Sequence, residues 1–295
     1  MTTRSIPRPF EIGERPAPAE VLLWPNLLTL QAPVVAALWQ LLLAQSLHLR
    51  LNPFETVGLA LAVWLIYVAD HLIDTARPLG ISWEPPRKEF CRRHWYGFLC
   101  FSIAAGFSLT ALASHYFWVA TVRAGWQLSL AVGCYFALIH VAPASWRSGW
   151  PREVAVATVF TLGTFLAVWV ANGRNVASLL IPGALFLSLC WTNCSLIETW
   201  EWEATGSIER ETPNPAARFG ARHLRSMGAL IALVSALLWM VSLLPKDFAE
   251  ATFLSGGALA LLARYRSAIP IRFVSPAADL ALCAPVIVLA FRTVV

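Results

Sequence analysis

Charge is what this chain has least of. Of its 295 residues only 13% are charged, while 58% are apolar, and the mean hydropathy is +0.62; soluble domains average about 25% charged residues. That deficit excludes an ordinary soluble core and points to an integral membrane protein. No connection between apolar segments is long enough to hold a separate soluble domain. Residues 1–20 lack the apolar run of a signal peptide: they carry Arg4, Arg8, Arg15, three Glu and four Pro, so residues 1–23 read as a polar cytoplasmic arm. Zinc-like spacing is missing too. Cys190 and Cys194 lie one helical turn apart, but no histidine or further cysteine joins them, and inert thiols are expected. The six histidines form no recognisable ligand pair. Nothing calls for nucleic acid as a partner.

What is present is long apolar segments. A spanning helix needs roughly 20 largely apolar residues, and nine segments meet that need, at about 24–47, 54–74, 95–115, 123–142, 153–171, 177–199, 226–244, 248–263 and 274–291. The eighth is the shortest. The expected fold is an all-α polytopic membrane bundle of nine transmembrane helices over residues 24–295. Seventeen of the 22 Lys and Arg residues fall in alternate connections and the other five in the intervening ones. The positive-inside rule then places the N-terminus in the cytoplasm and the C-terminus outside, across a cell inner membrane.

Two constellations break the apolar pattern. The second segment ends Tyr67-Val68-Ala69-Asp70-His71-Leu72-Ile73-Asp74-Thr75-Ala76-Arg77-Pro78. Asp70 and Asp74 are four residues apart and share a helix face, and Pro78 should stop the helix near Arg77. Ionised side chains at membrane depth are costly and usually face a polar cavity; two carboxylates at such a helix end suit a hard cation, Mg2+. The sixth segment carries Asn193 and then Glu198, Glu201 and Glu203, with Glu198 and Glu201 again on one face. Both segments run in the same direction, so both acidic ends emerge on one side, and one shared cation site is expected for Asp70, Asp74, Glu198 and Glu201. The basic loop holding Arg87, Lys88, Arg92 and Arg93 satisfies the positive-inside rule without any ligand, and it is equally compatible with a cap of cations over an anionic substrate held at the aspartates. Only Arg77 is placed by spacing. Gln31, Gln40 and Gln45 in the first segment read as interhelical glue; Asp279, a lone acid in the apolar last segment, reads equally as a helix-packing or hydrogen-bonding residue and as a functional one.

These residues resemble the UbiA superfamily of intramembrane prenyltransferases, bundles of nine helices around a central cavity with aspartate-rich motifs on helices two and six. The first family motif, N-D-x-x-D-x-x-x-D followed by Arg and Pro, is matched at Asp70, Asp74, Arg77 and Pro78; the second, K-D-x-x-D-x-E-G-D, at Glu198, Glu201 and Glu203, with a downstream Phe-Gly at Phe219-Gly220. Ile66-Tyr67 stand where the family has Asn-Asp, and glutamates replace the second-motif aspartates, needing about 1.5 Å more room for the extra methylene. The resemblance implies a prenyl diphosphate donor, a lipophilic or aromatic acceptor in the membrane lipid, and Mg2+ on Asp70, Asp74, Glu198 and Glu201. It implies that Arg77, Arg147 and Arg152 clamp the diphosphate, while Tyr67, Asn193 and Trp202 contact substrate, the aromatics facing the allylic cation.

The alternative is a non-catalytic UbiA-like bundle binding a lipid or pigment. A transferase for CDP-activated alcohols is a weaker rival, since Asp74-Thr75-Ala76-Arg77 lacks that motif's glycine. A secondary transporter is weaker still, because no inverted repeat with paired broken helices is visible. A reporter fused after Val295 should lie outside the cytoplasm; a cytoplasmic signal would mean that the spans are miscounted.

Overall fold

The computed structural model describes residues 23–75, 85–140, 152–173, 175–204 and 215–294. Apart from Leu23, the N-terminal arm lies outside them, as do Arg77 and Arg147. The described residues form twelve α-helices and two short 3-10 turns, with no strand among them: α1 (Trp24–Leu27), α2 (Gln31–Ser46), α3 (Pro53–Thr75), α4 (Pro86–Arg93), α5 (Trp95–Tyr116), α6 (Val119–His140), α7 (Arg152–Ala171), α8 (Ala177–Ala204), α9 (Pro215–Met240), α10 (Lys246–Arg264), α11 (Val274–Ala281) and α12 (Pro285–Val294).

Six of these, α3 and α5 to α9, are long and apolar enough to cross a membrane. They give the chain the build of an integral membrane helical bundle. The other three expected segments are helical but differ from plain spans. The first is broken: Thr29 sits at φ 55°, a left-handed conformation unusual outside glycine, and the 16 residues of α2 advance only about 24 Å. Asn26 at the break donates to Gln31 Oε1 at 2.8 Å. The eighth, α10, opens on Lys246-Asp247 with Glu250 soon after, which leaves its apolar run short. The ninth bends by 43° between α11 and α12, because Pro285 has no N–H to give the carbonyl four residues back.

The bend is built into the packing. Val286 N–H bonds to Cys283 O instead of Leu282 O, and the Trp39 indole N–H of α2 donates to the freed Leu282 carbonyl at 2.8 Å. The Trp39 ring in turn packs on Phe186 of α8 and Phe248 of α10, with centroids 4.8 Å and 5.2 Å away, in the main core shared by α2, α7, α8, α10 and α11. Around this core α5 lies on α3 and α6 on α7, each presenting large apolar side chains such as Phe101, Phe107, Trp126 and Leu130 outward, the surface that lipid would cover.

The start of α3 sets the phase of its acidic end. Asn52 Oδ1 accepts from Phe54 N–H at 3.1 Å, an N-cap with Pro53 at the first helical position. From there Trp64, Val68 and Leu72 form one stripe, packed on Phe90, Cys91 and Phe98, while Tyr67, Asp70 and Asp74 fall on another.

Helices α9 and α10 approach most closely at two glycines. A Cβ on Gly228 would lie 2.7 Å from the Gly256 carbonyl oxygen, and one on Gly256 2.8 Å from that of Gly228, whereas one on Gly257 would meet nothing within 4 Å. Gly228→Ala should therefore destabilise the folded protein by about 1–3 kcal/mol, seen as a lower Tm in detergent. Gly257→Ala should leave Tm unchanged or raised; equal losses at both positions would remove the close approach as the cause.

Candidate functional site

At the end of the bundle where α3 and α8 carry their acids, residues of α2, α3, α6, α7, α8 and α11 line a half-open polar chamber of about 190 Å³, to which α1 and α4 add Asn26 and Arg87. Tyr67 and Asp70 come from α3, Arg152 from α7, and Asn193, Glu198 and Glu201 from α8; all six line it. The two acidic constellations thus meet in one space. Asp74 and Trp202 are not among the lining residues, since each lies one turn farther along its helix. Glu203 turns away to pair with Arg266, and Phe219 stacks on Trp191, with ring centroids 6.4 Å apart.

Several of the charges in and around the chamber are paired within the protein. Arg87 Nη2 lies 2.9 Å from Glu201 Oε1 and Arg87 Nη1 donates to Ser275 Oγ. Lys88 Nζ reaches Asp74 Oδ2 at 2.6 Å. Arg152 Nη2 is 3.7 Å from Asp70 Oδ2, and His140 Nε2 is 3.4 Å from Asp70 Oδ1. Burial alone would lower the pKa of the Arg87 guanidinium, but Glu201 and Asp279 raise it, and the net direction is upward, so Arg87 stays charged.

Asp70, Asp74 and His140 bring one ligand atom each within 4.8 Å of one another, a grouping that among the described residues includes neither Glu198 nor Glu201. The expected cluster of four carboxylates at one cation is therefore not assembled. Like charges repel, and Arg87 draws Glu201 as Lys88 draws Asp74.

Sequence reasoning left Arg87 and Lys88 between topology and a cation cap over the aspartates without giving either residue a partner, and it missed His140. The signal for the first two was Pro85-Pro86 ahead of a helix-forming run, since proline favours the first helical position. Once α4 forms, Phe90 and Cys91 pack on α3, Trp24 meets the Phe90 ring edge-on at 5.9 Å, and Arg87 is carried inward. His140 shows no local signal; only the approach of α6 to α3 brings it to Asp70. Asp279 has the hydrogen-bonding role that was one of its two readings: it accepts from Asn193 Nδ2 at 3.0 Å and ties α11 to α8.

Beyond Tyr67 lies a second, apolar chamber of about 370 Å³, walled mainly by α3, α5, α6 and α7. The two share Ile66, Tyr67, Tyr135 and Val156. The first is lined by charged and polar side chains and the second mainly by apolar ones.

Comparison with known proteins finds no match for this chain: no family model, no curated protein and no solved structure.

The buried Arg87–Glu201 pair generates a test. Removing one partner of a buried pair leaves an uncompensated charge and costs about 3–5 kcal/mol. Arg87→Met should lower the unfolding free energy by about that much, and Arg87→Met with Glu201→Leu should recover most of the loss. Denaturant unfolding of both proteins checks this; additive losses in the double variant would show that the two residues are not coupled.

Proposed function

We propose that this protein is a Mg2+-dependent intramembrane prenyltransferase, a nine-helix UbiA-like bundle over residues 24–295 with its sites around a central cavity. It moves a prenyl group from a prenyl diphosphate to a lipophilic or aromatic acceptor, in a cell inner membrane with the N-terminus cytoplasmic and the C-terminus outside. The observation that supports this reading is that a charged chamber adjoins an apolar one, the two sharing Tyr67 and Tyr135 among their lining residues. A prenyl diphosphate has that same division of charge and hydrocarbon.

Asp70 and Asp74 suit Mg2+ by donor chemistry, as hard carboxylate oxygens close enough for one cation. Glu198 and Glu201 stand on the opposite wall and are assigned to the same bound metal–diphosphate unit. When bound, Mg2+ would supply charge neutralisation at the departing diphosphate. The protein's own cations supply the rest: Arg152 and Arg87 line the chamber and can hold phosphate oxygens bidentately, with Lys88 beside Asp74. Arg77 and Arg147 are assigned the same role from sequence alone. Tyr67 and Tyr135 stand at the junction, where the allylic carbon of a bound donor would lie, and their ring faces can stabilise its developing positive charge. Trp202, set a turn beyond Glu198, is the weaker aromatic candidate. Asn193 orients Asp279 at the chamber wall. The apolar chamber shields the chain from water.

A second reading, binding of a lipid or pigment without turnover, is favoured by one observation. Asp70, Asp74 and Glu201 already have basic partners, so their pairing needs no metal.

Ligands selective for the folded state raise its stability, so Mg2+ with farnesyl diphosphate should raise Tm by several degrees. Asp70→Ala and Glu198→Ala should each abolish the rise, and diphosphate release should follow addition of membrane lipid extract. A rise that is indifferent to Mg2+, with no diphosphate released, would establish the binding reading instead. No rise at all would end both.

A further inference from the structure

The apolar chamber is open on its outer side. Helices α5 and α6 have 22 residues each and are joined by Phe117-Trp118 alone. Helices connected that tightly normally pack as antiparallel neighbours. Here α5 packs on α3 and α6 on α7, and the two make scarcely any contact with each other. The chamber occupies the slot between them. Thr110 of α5 lines it, as do Gly125, Trp126 and Ser129 of α6. Thr110, Trp126 and Ser129 are also exposed, Trp126 to 74%, far more than a wall residue facing only inward would be. They stand at the rim of an opening. The Thr110 hydroxyl turns back onto the Gly106 carbonyl at 2.9 Å, which leaves that side of the rim effectively apolar.

The slot is fastened at both ends. At the turn, Asn52 Nδ2 donates to the Tyr116 carbonyl at 2.7 Å, and Phe54 stacks on Tyr116 with ring centroids 4.0 Å apart. Thr121 Oγ1 donates to the buried Glu55 Oε1 at 2.8 Å. Phe117 lies against Gly58, where any side chain would overlap its ring, and it walls that end of the chamber. At the other end of α6, His140 reaches Asp70 of α3 at 3.4 Å. Depth decides what the opening meets. Thr110 and Trp126 stand nearly level, each about 11 Å along its helix from the turn. Each helix is about 33 Å long, against a hydrocarbon core of about 30 Å. Tyr116 and Trp118 at the turn are exposed, as residues of an interfacial aromatic belt are. The rim therefore lies among lipid chains.

We propose that the slot between α5 and α6 is a lateral opening through which the ligand's isoprenoid chain passes between the bilayer and the apolar chamber. This rests on the reading that a prenyl chain occupies that chamber. An isoprenoid chain has no hydrogen-bonding group to leave unsatisfied on the way from lipid to chamber wall. Its charged head has the opposite requirement, since a charge among lipid chains is costly, so the head stays at the polar end. Threading the chain end-on would drag hydrocarbon past Arg87, Arg152 and Glu198. Sideways entry avoids that.

The test uses the full chain in lipid nanodiscs, with the exposed Cys100 and Cys134 changed to alanine. Thr110→Cys with Trp126→Cys, or with Ser129→Cys as a second pair, places thiols on the two sides of the rim. A cleavable bifunctional thiol reagent then bridges the slot. The probes are farnesyl diphosphate with Mg2+, and farnesol, which has the same chain without the anionic head. Bridging before a probe is added should abolish its binding. Bridging after loading should retain the probe through washing, and cleaving the bridge should restore both entry and release. Binding and release that ignore the bridge in both pairs would overturn the proposal. So would a bridge that blocks loading yet fails to retain a loaded probe, because that result marks a disturbed chamber wall. If farnesol alone loads and is retained, the opening stands and the diphosphate reading falls. If neither probe binds the unbridged protein, both fall.

Discussion

A charge carried into a bundle of apolar helices has to find an opposite charge, and at the acidic end of this protein that requirement governs how the elements sit. Arg87 enters from the short helix α4 and meets Glu201 of α8 at 2.9 Å while bonding Ser275 of α11. One guanidinium thereby joins three elements far apart in sequence. Lys88 repeats the device one residue on, tying α4 to Asp74 of α3. Because an unmatched buried ion is far more costly than a matched one, the positions of α3, α4, α8 and α11 are mutually constrained at the mouth of the polar chamber.

The same requirement explains why the chamber is polar without being simply acidic. Asp70, Glu198 and Glu201 are met there by Arg87 and Arg152, so the walls can answer either sign of charge on a ligand. The apolar chamber beyond Tyr67 and Tyr135 adds hydrocarbon to that chemistry, and the join falls where the polar stripe of α3 gives way to its apolar length. In this respect the division between the two chambers is written along a single helix.

The departures from regular spans fall beside this site. Thr29 at the break before α2 and Asp279 just ahead of the α11–α12 bend both line the polar chamber. Irregular backbone at membrane depth is tolerated where it is buried in protein or lines a cavity, and here Trp39 satisfies the carbonyl that the second break frees. Helices α9 and α10, which line neither chamber, pack closely through Gly228 and Gly256 and remain unbroken.

The sequence by itself determined what depends on local order along the chain. Composition is summed over residues, so membrane character was legible. Helical periodicity acts over a turn, so it was legible that Asp70 lies on the face of Asp74 and Glu198 on that of Glu201. The shared direction of the two acidic helices followed from counting segments. Tertiary structure alone decided which cations those acids meet, because Arg87, Lys88, His140 and Arg152 reach them from other helices and no spacing rule links residue 87 to residue 201. It also divided glutamines that look alike in sequence: Gln31 is bonded through both its oxygen and its nitrogen, while the Gln40 oxygen has no partner among the described residues, since the identity of the facing helix settles whether a buried amide finds a partner. The two chambers belong to the same class of fact, for a cavity is a relation among helices and no single helix encodes it.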